Sequence, residues 1–537
     1  MHHDGGSTHQ ESIALYSKAI QRLLKMRELI GRDGDVGTSS TLNNLNSEIY
    51  LDNSSKSLEG LLVHAYCRLA HVYFMANMFD IALGVYTQAL EISPTYLDAL
   101  NHRGATNVIL GKYNEAAKDF DQVIQLDTDR VFVDVFTGMA KVLVAREEVY
   151  PKGWENIVPI MEDLIMSTQQ LSEQQQQHAH NPSIFATYKN FFNNNLKHLH
   201  LALFSYHDHK TLDVDQAWDH VRKGNYYKLD GHAPYDYSFQ QKKIDMIKQV
   251  FVPGFWMDGY GSTSKNLIFI VGFVRSGSTL LERILDAHPL IAGTGEDSIF
   301  NGRLPAIRSE VVEASTSGSL QTLQAVIQQQ ADEVEFLVKE RWKKVNSRST
   351  QNKDTHKQRP RRYVDKMLMN YVNIGFIHLL YPNALILHVS REPMDTIWSA
   401  FKHDFPPGDL DHTSDFQSLA HMFKCYKEVM QHWDQVLPGR IQHIRYEDMV
   451  NDFDGVARAV ISATELPWDP QVLKFHEKKQ AVNTLSTSQV RKGIYKESIQ
   501  SWKKYEKYLK PLMRYVGNNA IHNITTSLKG YTTVHGD

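Results

Sequence analysis

The sequence predicts a multidomain chain of mixed class: an α-helical repeat solenoid followed by a P-loop-like α/β domain built on a parallel sheet. Three observations predict it. The 537 residues exceed what one core holds and suit two to four domains. A 34-residue self-similarity runs through the first part of the chain. In the second part, short apolar runs of strand length alternate with stretches of helical spacing.

Composition sets outer limits. At 42% hydrophobic and 22% charged, the chain is globular rather than disordered or fibrous. Lys+Arg 58 against Asp+Glu 61 leaves a net charge of −3, which argues against nucleic acid or an anionic membrane as partner and makes any anion site local. The two cysteines, Cys67 and Cys425, exclude a disulfide scaffold and a multi-cysteine zinc site, and suit a reducing compartment. Met1 to Gln10 is polar and does not resemble a secretory leader. No run approaches the ~18 apolar residues of a membrane span. The expectation is a soluble, cytoplasmic protein without a membrane span, with the lumen of the secretory pathway as the alternative.

The repeat is carried by residue pairs 34 apart: Phe79 and Tyr113, Ala82 and Ala116, Tyr86 and Phe120, Leu90 and Ile124. Gly104 and Gly138 hold the same phase. Small residues at helix crossings with aromatics filling the gaps fit tetratricopeptide-like helix pairs. Ile13 to Leu29 reads as an earlier helix, followed by a polar linker from Gly31 to Ser47. Gln169 to His180 is low-complexity and reads as a loop or frayed helix, and helical spacing resumes from Ile184 to Val250. The expected division is a repeat region over 1–257, a Gly/Ser-rich linker over 258–265, the α/β domain over 266–520 and a tail over 521–537.

In the second part, Asn266 to Gly272, Tyr363-Val364, Ala384 to Val389 and Ile441 to Ile444 are strand candidates. Tyr371 to Leu380 and Met394 to Phe401 are helix candidates between them. Asn346 to Arg362 is polar and basic, and reads as a solvated insertion, with a basic acceptor-binding lip as the alternative.

Directly between the first strand and its helix stands Gly272-Phe273-Val274-Arg275-Ser276-Gly277-Ser278-Thr279. Glycines five apart let the backbone curl so that successive N–H groups cradle a phosphate at a helix start. A nucleotide-hydrolysing P-loop would have a lysine where Ser278 stands. Its absence weakens the grip on β- and γ-phosphates. Arg275 places a cation inside the loop instead. A second anion site is suggested just past a strand by Arg391, with Ser399 two turns into the next helix.

These motifs in combination resemble the tetratricopeptide-repeat-containing sulfotransferases, related to the tyrosylprotein sulfotransferases. VRSGSTLLERILDAHP is similar to the family's loop and A-H-P turn, with Val274 for its usual proline and Ser278 for its first threonine. Gly295-Glu296, Asp365-Lys366, Arg391 to Ser399, Arg445-Tyr446-Glu447-Asp448, Leu466-Pro467-Trp468 and Gln489 to Lys492 follow in the family's order, as far as Ser501-Trp502. His403 stands where the tyrosylprotein enzymes have an arginine.

The resemblance implies sulfuryl transfer from 3′-phosphoadenosine 5′-phosphosulfate to a hydroxyl, without a metal. It implies catalytic roles for Arg275, Glu296 and Lys366, with Asp297 as the alternative base and His288 as a structural histidine. Arg275, Ser276, Gly277, Ser278 and Thr279 would hold the 5′ end of the donor, and Arg391 and Ser399 its 3′-phosphate. Tyr446, Ser486, Gln489, Val490, Arg491 and Lys492 would complete the pocket. The acceptor expectation is a protein tyrosine, held as a peptide or protein near the repeats, with a glycan or small hydroxylated molecule as alternative. A scaffold of repeats on a vestigial nucleotide domain is the competing class. A homodimer is compatible with the sequence.

Overall fold

The 34-residue period predicts paired helices, and the computed structural model forms them. It describes residues 5–33, 57–178, 182–230, 232–254, 260–296, 299–316, 318–347, 359–406, 408, 410–477, 498–517 and 527–528. The chain divides into two compact units, one running to Tyr227 and the other from Lys228.

In the first unit the helices are α1 (Gly5–Asp33), α2 (Leu58–Met75), α3 (Phe79–Ile92), α4 (Leu97–Leu110), α5 (Tyr113–Leu126), α6 (Asp134–Arg146), α7 (Gly153–His178), α8 (Pro182–Tyr206) and α9 (Val214–Leu229). Successive helices pack in pairs over a core that includes Ala82, Tyr86, Ala116 and Phe120. The period has a steric cause. A Cβ added at Gly104 would lie 2.6 Å from the Phe120 ring, and one at Gly138 2.5 Å from it. The ring of α5 is thus wedged between glycines of α4 and α6. Gly138→Val should therefore lower unfolding stability by about 1–3 kcal/mol through overpacking, read as a drop in urea midpoint. Asp119 braces the same layer: it accepts from Arg103 at 3.0 and 2.7 Å and from Asn107 at 3.2 Å. The low-complexity stretch from Gln169 is helical as far as His178. Ile184 to Val250 is several helices, broken by a π turn at His207–Thr211.

The second unit opens with α10 (Tyr237–Val250) and continues β1 (Leu267–Gly272), α11 (Ser278–Asp286), β2 (Ile291–Gly293), α12 (Ile299–Thr316), α13 (Leu320–Ser347) and β3 (Arg362–Asp365). Next come α14 (Ile374–Leu380), β4 (Leu385–Ser390), α15 (Pro393–Phe401), α16 (Phe416–Val436), β5 (Ile441–Arg445), α17 (Tyr446–Asn451), α18 (Phe453–Ala463) and α19 (Glu506–Val516). The five strands are all parallel in the order β2-β3-β1-β4-β5. β1 is fully buried, as its unbroken apolar run requires of a strand covered on both faces. Ile268 and Ile270 face Leu281, Ile284 and Leu285 of α11. Strand order reverses between β1 and β4, the place where open α/β sheets hold ligands at their carboxyl ends.

Two features differ from the sequence expectation. The sequence places residues 228–257 with the repeats, yet α10 packs on α16. Lys248 pairs with Glu428 at 2.7 Å, and Phe251 meets Trp433 at 5.2 Å between ring centroids. Within the expected tail, Ser527 donates its backbone N–H to His443 O of β5 at 2.9 Å, and Leu528 is buried in the sheet core.

Candidate active site at the ends of β1, β3 and β4

After β1 the chain turns through two left-handed residues, Arg275 at φ 67° and Gly277 at φ 102°. Arginine rarely adopts this conformation, and such strain clusters at functional sites. At Gly277 no side chain fits, since a Cβ would lie 2.3 Å from Tyr446 Cδ2. The curled loop leads into α11 at Ser278. Ser278 and Thr279 are buried, and the buried Ser276 hydroxyl has no hydrogen-bond partner among the described residues.

The same loop meets the end of β4. Arg275 Nε donates to Ser399 Oγ at 3.2 Å. Arg391 donates from Nη1 to Arg275 O at 3.4 Å and from Nη2 to Ser498 O, and its guanidinium lies 4.7 Å from the Tyr446 ring. The Arg391 Nε is buried and has no partner among the described residues. Tyr446 OH and Ser498 Oγ are hydrogen-bonded at 2.7 Å. The structure therefore brings Arg275, Ser276, Gly277, Arg391, Ser399 and Tyr446 to one place. The sequence led us to expect two separated anion sites, whereas the Arg391 guanidinium rests against the loop itself. Its fork finds carbonyl oxygens there, and a planar cation on an aromatic face is favourable. Ser486, Gln489, Val490, Arg491 and Lys492 lie outside the described residues, as does Asp297. His403, where an arginine was expected, binds Ser399 O through Nδ1 at 2.5 Å.

Lys366 follows β3. Asp365 Oδ1 accepts from Met367 N at 3.1 Å and Asn370 Nδ2 at 3.3 Å, a turn that ends the strand. The Lys366 side chain is fully buried, with Nζ 3.1 Å from Glu282 Oε2 and 3.2 Å from Glu296 Oε1. Burial opposes its charge, but the two carboxylates outweigh burial and hold the ammonium above the ordinary lysine range. Glu296 is half exposed on a loop whose Gly295 has φ 72°. An exposed carboxylate and a buried cation side by side can accept a proton and stabilise developing negative charge, respectively. His288 is structural: Nε2 donates to Pro467 O at 2.8 Å, and Nδ1 accepts from Leu290 N at 3.1 Å.

Three residues escaped the sequence reading. Glu282 lies in the helix after the loop, where a lone acidic residue reads as surface. Ser498 precedes the Ser501-Trp502 block. Asp395, fully buried, accepts from Gln500 N at 2.6 Å, Ser501 Oγ at 3.2 Å and Trp502 N at 3.3 Å, tying that segment to α15. An Asp in the first turn of a helix is ordinary capping chemistry, so it carried no signal.

Residues 267–470 match the sulfotransferase family, and residues 97–130 match a tetratricopeptide repeat. The sulfotransferase likeness is thus confined to one part of the chain, within the second unit. The sulfotransferase match begins at β1 and runs through β2 to β5, so it contains the loop, Lys366 and Arg391. An uncharacterized protein of Aquifex aeolicus strain VF5 is 30% identical over 318 residues, which cover 57% of this chain and 39% of that protein. A putative protein-tyrosine sulfotransferase of Caenorhabditis briggsae is 26% identical over 251 residues, covering 45% of this chain and 82% of that protein. The chain thus spans about two fifths of the Aquifex relative's length. Among solved structures, the sulfotransferase domain from the curacin biosynthetic pathway overlaps 47% of this chain and 98% of its own at 16% identity, with a TM-score of 0.30. Among the described residues no helix is long and apolar enough to cross a membrane, and no group of three or more His, Cys, Asp or Glu is placed to hold a metal ion.

Proposed function

We propose that the second unit is a sulfotransferase that uses 3′-phosphoadenosine 5′-phosphosulfate and sulfates a hydroxyl, with a polypeptide tyrosine as the acceptor. The observation that carries this is the meeting of Arg275, Ser399 and Arg391 beside a phosphate-type loop, inside a domain matching the sulfotransferase family. The residues present fit such a donor. Among the described residues the Ser276 hydroxyl and Arg391 Nε are buried polar groups without partners, and Gly277 lets the loop curl tightly against Tyr446, where a side chain would clash. When bound, the donor supplies the sulfuryl group and a bisphosphate leaving group.

The chain's own residues then divide the work. Arg275 with Ser276 to Thr279 binds and orients the 5′ end, and Arg391 with Ser399 binds the 3′-phosphate. Tyr446 packs beside Arg391. Glu296 takes the proton from the acceptor hydroxyl at its exposed carboxylate. Lys366, an ammonium fixed in a dry site, stabilises the charge that grows on the departing oxygen. Ser486 and Gln489 to Lys492 complete the donor pocket in this reading.

The tyrosine acceptor is supported by the name of the Caenorhabditis briggsae relative. Repeats of this type commonly hold extended polypeptides, and we assign that role to the first unit. The test is incubation of the full chain with sulfur-radiolabelled donor and a panel of tyrosine peptides, glycans and small phenols. Label on peptide tyrosine is expected. Label confined to glycans or small phenols would overturn the acceptor assignment, and label on nothing would overturn the sulfotransferase reading.

A further inference from the structure

Lys366 poses an electrostatic problem that two glutamates answer unequally. A wholly buried ammonium requires nearby negative charge, because desolvation removes several kcal/mol of its hydration. Glu296 and Glu282 both lie within ion-pair distance, at 3.2 and 3.1 Å. Their settings differ. The Glu296 side chain is 51% exposed, whereas that of Glu282 is 11% exposed and belongs to the middle of α11. On the reading above, Glu296 accepts a proton during turnover, so its charge is not constant. At that moment the remaining counter-charge for Lys366 is Glu282.

Glu282 also has a second job for its other oxygen. Oε1 accepts the backbone N–H of Gly295 at 2.9 Å, the peptide immediately before Glu296. The Gly295 carbonyl in turn accepts the backbone N–H of Lys366 at 3.4 Å. The glutamate therefore joins three pieces: the helix that starts at the phosphate loop, the loop carrying Glu296 and the end of β3 carrying Lys366.

We infer that Glu282 is the positioning residue of this site, anchoring the Lys366 ammonium with one carboxylate oxygen and the Glu296 loop with the other. The inference rests on the sulfotransferase reading for its consequence in catalysis, but not for the anchor itself. A glutamate that merely closed a core ion pair would affect stability alone.

The experiment compares wild type with Glu282→Gln in the full chain. Glutamine keeps an oxygen for the Gly295 N–H but removes the charge. Burial disfavours the Lys366 ammonium, and Glu282 is the more buried of the two carboxylates that oppose this. Its loss should make Lys366 release its proton at lower pH. Lysine labelled at Cε is followed by NMR, with the Lys366 signal assigned through Lys366→Arg. The expected result is a Lys366 titration moved to lower pH, an alkaline limb of the kcat profile moved the same way, and kcat down about tenfold or more with donor KM little changed. An unmoved titration or an unmoved alkaline limb in the folded variant overturns the inference. If Glu282→Gln does not fold, the double change Glu282→Gln with Lys366→Met, which keeps an oxygen for the Gly295 N–H, decides. Removing both charges should restore the wild-type melting temperature, and a double variant as unstable as the single overturns the anchor. A wild type that transfers no label, yet whose Lys366 titration moves on Glu282→Gln, would sink the sulfotransferase reading and leave the anchor standing.

Discussion

Lys366→Met is expected to give a chain that still binds the bisphosphate product and transfers almost nothing. Methionine keeps the length and apolar stem of the side chain but removes the cation. In a fully buried site no solvent cation replaces it. Loss of one fixed electrostatic stabiliser typically lowers kcat by about 10²–10³-fold. Donor affinity should change far less, because Arg275, Arg391 and Ser399 are untouched. The same change strands Glu282, which is nearly buried, so stability should fall by about 3–5 kcal/mol. Steady-state kinetics and thermal melting together check both halves. A Lys366→Met chain with wild-type kcat would remove Lys366 from the mechanism.

Arg391→Ala is the second large effect, and it acts on binding. Arg391 supplies the guanidinium at the end of β4, lies 4.7 Å from the Tyr446 ring and reaches the Ser498 carbonyl. Truncation removes the cation proposed for the 3′-phosphate and leaves that carbonyl without its donor. Removing one partner of a buried charge pair costs about 2–5 kcal/mol, so affinity for 3′-phosphoadenosine 5′-phosphate should fall at least about 30-fold. The first unit should melt as before, because no residue of its core is altered.

Much of this arrangement was legible in the sequence, for physical reasons that can be named. Phe120 repeats Tyr86 because each packs in the same helix layer, and glycine recurs at 104 and 138 because the Phe120 ring leaves no room for a Cβ. β1 is a central strand buried on both faces, so it shows as an unbroken apolar run, and β4 beside it is apolar except for His388 and Ser390. The loop at 272–279 combines glycine spacing with strand–helix context, which few other structures require. What escaped was non-local. The three residues of β2 are too few to show a period. Glu282 has no local pattern that distinguishes a buried counter-ion from a surface acid, because its partner Lys366 is 84 residues on in the chain. The attachment of 237–251 to the second unit depends on Phe251 meeting Trp433 and Phe376. The position of the Arg391 guanidinium depends on Ser498, which only the folded chain places beside it.

On the proposed function, the ends of β1 and β4 together grip an adenosine bisphosphate. Calorimetric titration of the wild-type chain with 3′-phosphoadenosine 5′-phosphate, beside Arg391→Ala and beside Mg-ATP, tests it most directly. Saturable one-site binding of the bisphosphate, strongly weakened in the variant, is expected, with no turnover of Mg-ATP. Bisphosphate binding that is absent, or equally tight without Arg391, would contradict it.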